Sequence, residues 1–449
     1  MAKRATKRNS SKPKPPRNLA ATRPPRTPTP LKIALVGMGT VGSSVAKILT
    51  KGTGGPLQLT HILDRNASKR HANWLPKNIH WAEKFSQILA SDADVVVELI
   101  GGMEPATDWI RKALRAGKSV VTANKMVIAE SGVELQELAR KMGRRIEFGA
   151  SVAGGIPVII GIQEGLAGDR LHEIAGILNG TCNFVLTKME ASGASFEDAL
   201  KEAQELGFAE ADPSADVEGY DARAKLVILT QAGLRIAVRA GQISCRPISL
   251  IEAVDFKYAH DLNCTIRQIS LARKDASNGL QLFAAVQPAL VPDASLLAHV
   301  ERNKNMVVTT GEFSEQTVFS GYGAGGDPTA VAVVSDLYSI ARGAGAPQTG
   351  PSAALEIPKS VSGEFTAPHY LRLVVKDRPG ILAAVSAALS RFEISIDAVL
   401  QKPGYPHDAL PFVMTLETCS SAVLSRALEE IAGLDFHVEP PLCLPILGM

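Results

Sequence analysis

Ile33-Ala34-Leu35-Val36-Gly37-Met38-Gly39-Thr40-Val41-Gly42 joins a short unbroken apolar run to a glycine-rich turn. An apolar run of that length, without alternation, suits a strand covered on both faces, as in a parallel sheet. Val41, Val45, Ile48 and Leu49 then fall at helical spacing. Strand, glycine turn and helix in that order open a dinucleotide-binding βαβ unit. The glycines let the backbone turn tightly and approach a pyrophosphate, and the helix start offers its free N–H groups to that anion. Gly37, Gly39, Thr40, Val41 and Gly42 are therefore candidate cofactor contacts. Asp64 closes the next strand-like run, 57–63, where an acid meets the adenosine ribose hydroxyls. Arg65, Lys69 and Arg70 follow it and suit a 2′-phosphate, so NAD and NADP both remain open.

Further strand-like runs at 94–100, 118–122 and 145–150 alternate with helical stretches at 104–116 and 131–142. That alternation predicts an α/β, Rossmann-like doubly wound sheet. Beyond residue 150 the pattern loosens. A strand is expected at 171–179 and helices at 195–206, 222–233 and 329–343. Residues 344–368, rich in Gly, Pro, Ser and Ala, read as a linker. The last 80 or so residues carry strand signals at 369–375, 394–400, 411–417 and 434–439 and helical ones at 380–391 and 421–432. The order βαββαβ is ferredoxin-like.

The chain has 449 residues, 45% hydrophobic and 21% charged, enough for two to four domains at about 100–200 residues each. No run of apolar residues is long enough to span a membrane. The five cysteines form no CxxC and suit a reducing cytoplasm rather than a disulfide framework. The net charge of +3 misleads: nine Lys/Arg and no acid fall within residues 1–30, so the remainder is mildly acidic and not built for nucleic acid. The basic, Pro-rich tail reads as a disordered solvated arm.

Glu205, Glu210, Asp212, Asp216, Glu218 and Asp221 crowd a short stretch before the apolar run Leu226-Val227-Ile228-Leu229. In a helix Asp221 and Lys225 share a face. A surface ion pair explains that spacing as well, but Lys225 borders a core, and a partly buried lysine near carboxylates suits proton transfer. Lys125 follows the run 118–122, at the strand end where ligands of open α/β sheets gather; a solvated surface lysine is the alternative. Val152-Ala153-Gly154-Gly155-Ile156-Pro157 presents carbonyls to a small cation or is simply a tight turn. The nine histidines show no ligand spacing.

These stretches resemble bacterial monofunctional homoserine dehydrogenase over about residues 31–445. The matching motifs are GMGTVG (37–42), VVVELIGG (95–102), SVVTANK (119–125), VAGGIP (152–157), LNGTCNF (178–184), ELGFAEADPSADVEGYDARAK (205–225) and GAGGDPTA (323–330). The C-terminal unit resembles an ACT-type regulatory domain, with Val374–Leu382 as its strand-to-helix turn. The resemblance implies reversible NAD(P)-dependent reduction of L-aspartate 4-semialdehyde to L-homoserine, in threonine and methionine biosynthesis. It implies Lys225 as acid/base, Lys125 as its partner, Glu210, Asp216 and Asp221 toward the substrate's amino end, and Gly207 and Gly323 lining the cofactor. It also implies a sodium-type ion on the carbonyls of Val152, Gly154 and Ile156, although Gly149 stands where the family has Glu.

Threonine is the expected effector, at Asp377, Gly380, Ile381 and Leu382, and a homo-oligomer, dimer or tetramer, the expected assembly. The expected division is a tail at 1–30, a dinucleotide-binding domain at 31–150 completed by part of 320–345, a substrate and dimerisation domain at 151–320, a linker at 344–368 and the ACT-type domain at 369–449. Two other readings remain: a different two-domain amino-acid or semialdehyde dehydrogenase, and a non-catalytic amino-acid sensor.

Overall fold

The computed structural model describes residues 30–51, 55–66, 73–275, 279–343, 354–364 and 366–448. The basic tail up to residue 29, Lys69 and Arg70 lie outside them. Six parallel strands open the chain: β1 Leu31–Val36, β2 Leu57–Leu63, β3 His80–Ala82, β4 Val95–Glu98, β5 Ser119–Thr122 and β6 Ile146–Glu147, ordered β3-β2-β1-β4-β5-β6. Every residue of β4 and β5 is buried, which explains the apolar stretches Val95–Val97 and Val120–Val121 within them. Strand order reverses between β1 and β4. The crevice there, beyond the strand ends, is where such sheets receive ligands. The helix Thr40–Lys51 covers one side with Val45 and Leu49, and the late helix Gly326–Arg342 packs on it through Ala330, Val333 and Leu337.

The loosened middle of the sequence hides a second sheet: β7 Leu171–Ile177, β8 Ser244–Cys245, β9 Cys264–Asp275, β10 Gln281–Pro292, β11 Lys304–Gly311, β12 Glu315–Tyr322 and β13 Ser360–Ser362. Its order is β12-β11-β7-β9-β10-β13, with β8 also on β10. Of these strands, the sequence pattern predicts β7 alone. In β9 the first nine residues are all buried, Arg267, Gln268 and Ser270 among them, so apolar and polar residues mix without a period of two. β13 lies inside the stretch expected to be linker and extends this sheet beside Gln281–Phe283. Helices Gly180–Ser192 and Tyr220–Leu229 pack against the sheet. The second runs on through a π-helical turn, Thr230–Leu234.

The C-terminal unit is βαββαβ: β14 Thr366–Val375, helix Ile381–Arg391, β15 Ile396–Gln401, β16 Leu410–Ser420, helix Ser421–Ala432 and β17 Leu442–Pro445, ordered β15-β16-β14-β17. The last strand was expected at 434–439. Phe436 and Val438 do bond to the end of β14, but Pro440 and Pro441 have no N–H to continue a ladder, and the strand resumes at Leu442. One face of this sheet carries its own two helices. The other shares a core with the middle domain: Tyr370, Val413, Leu442 and Leu444 cluster with Ile248, Tyr258 and Ile266. Buried polar contacts run through that junction. The Tyr370 hydroxyl donates to Asp255 Oδ1 at 2.6 Å, and Arg372 pairs with Glu252 at 2.6 Å.

Candidate active site

Each glycine of the first turn has a distinct constraint. Gly37 has φ +102°, and a Cβ there would lie 2.7 Å from the Leu99 carbonyl oxygen. A Cβ on Gly42 would stand 1.9 Å from the Gly37 carbonyl oxygen, whereas Gly39 faces open space. That is the pattern a dinucleotide needs: two positions closed by backbone and one left clear for phosphate. Thr40 and Val41 open the helix behind it. Asp64 stands at the end of β2, and its carboxylate accepts N–H bonds from Met38 and Asn66, each at 2.7 Å. It braces the turn. Arg65 is exposed.

The far wall of the crevice comes from late in the chain. A Cβ on Gly154 would lie 2.7 Å from the Gly323 carbonyl oxygen, and one on Gly323 would run into the Asn305 amide. Asp327 Oδ1 accepts from the Ser44 hydroxyl at 2.6 Å, tying the second glycine stretch to the first helix. Gly207, with φ +75°, ends the helix Phe196–Glu205 with nothing packed on its open side.

Lys125, Asp221 and Lys225 meet. Lys125 begins the helix after β5, and its Nζ is 2.6 Å from Asp221 Oδ1. Lys225, one turn after Asp221, reaches Asp221 Oδ2 at 2.7 Å and also donates to the Leu178 carbonyl at 2.7 Å. An ammonium has three donors, so these two bonds leave Lys225 one for a ligand. Asn179, at the N-cap of the helix Gly180–Ser192, donates to Asp221 Oδ2 at 2.9 Å and to Asp216 Oδ1 at 2.6 Å. Asn179 lies within the LNGTCNF motif, which by itself gives it no role; its N-cap position ahead of Cys182 is the available signal.

Asp221 is 8% exposed. Burial opposes its charge, yet the two ammonium groups outweigh burial and hold the carboxyl well below the usual carboxylate range. Burial likewise works against the Lys125 charge, and Asp221, with Asp216 and Glu210, overcomes it and moves the ammonium upward. Asp216 is raised, chiefly by burial. The arrangement is a buried anion gripping two cations, with donors unspent on both ammonium groups. Glu210 is not part of this contact set: its side chain is exposed, and it acts on Lys125 only through its charge.

The Val152–Ile156 loop packs beside the second glycine stretch. The Ile156 carbonyl accepts from Val158 N at 2.8 Å. Gly149 brings no carboxylate, and a Cβ there would stand 2.8 Å from Asp336 Oδ1. Asp336 instead accepts the Gly149 N–H at 2.9 Å. Among the described residues no group of three His, Cys, Asp or Glu side chains is placed to hold a metal. The donors here are neutral carbonyls without a charged ligand. Without the carboxylate at position 149 they do not fit the ion site that the resemblance implies.

In the C-terminal unit, Gly380 has φ +95° and caps the helix that begins at Ile381, while Leu382 is exposed. Asp377 is already engaged: its carboxylate meets His407 Nδ1 at 2.7 Å and its N–H the His407 carbonyl at 2.7 Å.

Residues 37–149 match the homoserine dehydrogenase NAD-binding domain, 157–338 the homoserine dehydrogenase family, and 369–436 the ACT domain. Homoserine dehydrogenase of Bacillus subtilis is 38% identical over 416 residues, 90% of this chain and 95% of its own length. That of Neisseria gonorrhoeae is 36% identical over 431 residues, 92% and 98% respectively. The crystal structure of a homoserine dehydrogenase from Thiobacillus denitrificans superposes with TM-score 0.85 at 34% identity, covering 93% of this chain and 98% of its own. A hyperthermophilic archaeal homoserine dehydrogenase in complex with NADPH gives TM-score 0.58 at 25% identity over 69% of this chain and 97% of its own. A Rossmann-like sheet, a middle mixed sheet and an ACT domain, in one order and over nearly the whole length, define one kind of oxidoreductase, and the chain belongs to the homoserine dehydrogenase family.

Proposed function

We propose that this chain interconverts L-homoserine and L-aspartate 4-semialdehyde with NAD(P), and that Lys225 moves the proton. The observation that carries the assignment of roles is the Lys125–Asp221–Lys225 cluster at the mouth of the dinucleotide crevice. Bound NAD(P)H supplies a hydride to the aldehyde carbon. The oxygen then carries a negative charge, and the unspent N–H of Lys225 stabilises it and donates the proton, leaving the hydroxyl of homoserine. Asp221 fixes the angle between the two lysines. Lys125 adds a second positive charge next to the reacting oxygen. Asp216 and Glu210 supply anionic charge for the substrate ammonium.

Gly37, Gly39, Thr40, Val41, Gly42, Gly207 and Gly323 would line the cofactor, and Asp64 and Arg65 would meet its ribose. The exposed guanidinium of Arg65 supports NADP at least as well as NAD. The ACT domain supports amino-acid regulation, with threonine the proposed effector at Asp377, Gly380, Ile381 and Leu382, and a homo-oligomer the proposed assembly. No helix among the described residues is long and apolar enough to cross a membrane. The five free cysteines favour a reducing compartment, proposed as the cytoplasm. A non-catalytic sensor is not favoured, because both lysines and all three glycines of the turn are in place. The deciding experiment follows nicotinamide absorbance with homoserine and each cofactor. Turnover with homoserine supports the assignment; turnover only with a different hydroxy-amino acid replaces it.

A further inference from the structure

Glu98, the last residue of β4, is 1% exposed, and the chemistry above does not use it. A buried carboxylate demands donors, and it has three. Oε1 accepts the N–H groups of Ile100 at 2.9 Å and Gly101 at 3.3 Å. Oε2 accepts the Thr122 hydroxyl at 2.6 Å, directly across the β4–β5 ladder. Because Thr122 spends its proton on Glu98, its lone pairs face the other way, and it accepts Asn124 N–H at 3.0 Å. Asn124 is the N-cap of the helix that begins at Lys125: its Oδ1 accepts Val127 N–H at 3.3 Å. Its Nδ2 donates to the Gly102 carbonyl at 2.7 Å, which closes a ring back to the turn that Glu98 holds. That same turn abuts the dinucleotide site, since the Leu99 carbonyl oxygen is what closes off Gly37.

We propose that Glu98 is a positioning residue for the reaction: through Thr122 and Asn124 it sets where Lys125 stands relative to the dinucleotide turn. The proposal rests on the reading of Lys125 as a group of the active site. The polarity of the ring explains the residue types. Every partner of Glu98 donates, so only an acceptor with no N–H of its own leaves the Thr122 hydroxyl aimed correctly. Glutamine would turn an NH₂ toward one of these donors and reverse the hydroxyl. Valine at 122 would keep the shape and remove the link between Glu98 and the helix cap.

The test compares full-length Thr122→Val, Thr122→Ser, Glu98→Gln, the Glu98→Gln/Thr122→Val double variant and Lys125→Ala, with homoserine and NADP. Small misplacements of a reacting group reach about a hundredfold in rate. Thr122→Val and Glu98→Gln are therefore expected to lower kcat by about tenfold to a hundredfold, with cofactor affinity by calorimetry held within about threefold. Thr122→Ser restores kcat, and the double variant is no worse than the poorer single, since both cut one chain of bonds. Parental kcat in Thr122→Val, a loss that serine does not rescue, or additive losses in the double variant overturns the proposal. If Glu98→Gln does not fold, the Thr122→Val and Thr122→Ser pair still decides. An inactive Lys125→Ala beside a fully active Thr122→Val overturns the positioning role alone. A fully active Lys125→Ala overturns the reading of Lys125 as well.

Discussion

Lys125 Nζ and Asp221 Oδ1 stand 2.6 Å apart although their helices belong to different domains, one following β5 of the first sheet and the other packed against β9 of the second. The pair is a bridge between the dinucleotide-binding and middle domains as well as part of the site. Through Asp221 it also reaches Lys225, so the relative placement of the two domains is coupled to the geometry of the proposed proton donor.

Replacing Lys225 by alanine is expected to lower kcat by about a hundredfold or more, the usual contribution of general acid–base catalysis. The circular dichroism spectrum should stay that of the parent, because Lys125 and Asn179 still pair with the buried Asp221. Near-parental turnover in the variant would remove Lys225 from the proton transfer.

Asp221→Asn is expected to weaken both activity and stability at neutral pH. The carboxyl is held low in the folded state, so its contribution is fully present above the unfolded value of about 4 and is lost as pH falls below it. Lys125 is raised, so its contribution is present below about 10.4 and is lost only in strong alkali, as pH rises through its folded value. Thermal melts between neutral and acid pH check the first sign: the parent should lose its advantage over Asp221→Asn as pH falls below about 4.

Asp336 should act in the opposite sense. Burial and the neighbouring Glu147 push it up to about 7. The folded state therefore binds the proton more tightly, and stability should fall as pH rises from about 4 toward about 7. Asp336→Asn should flatten that part of the melting curve. A parent whose melting temperature does not change across this interval would contradict the prediction.

Arg65→Ala should reduce kcat/KM for NADP more than for NAD. One charge-assisted hydrogen bond is worth about 1.5–3 kcal/mol, or about tenfold to a hundredfold. Measured ratios for both cofactors decide it, and a hundredfold preference of the parent for NAD would exclude a 2′-phosphate site at Arg65.

Millimolar threonine is expected to inhibit the full-length enzyme, and Asp377→Ala to abolish that inhibition while basal turnover is kept. Point variants are the appropriate tool. Removing the C-terminal domain would strip Tyr370, Val413, Leu442 and Leu444 from a core they share with Tyr258 and Ile266. Threonine that leaves the parent unaffected, or inhibits Asp377→Ala equally, would show that this turn is not its sensor.

Local chemistry determined a good part of this protein from the sequence alone. The run Ile33–Val36 with its glycines announced the first sheet, because burial on both faces admits little but apolar residues and a phosphate turn admits little but glycine. Asp221 and Lys225 were legible as partners because one helical turn joins them. The middle sheet was not legible. β9 buries Arg267, Gln268 and Ser270 among its apolar residues and shows no period of two, and β13 joins from a Pro- and Ser-rich stretch that reads as linker. Tertiary structure alone brought Lys125 to Asp221, Asn179 to both Asp216 and Asp221, and Glu98 to Thr122. These contacts span large separations in the chain. They form because sheet register and domain packing set the distances, and neither is written in any local run of residues.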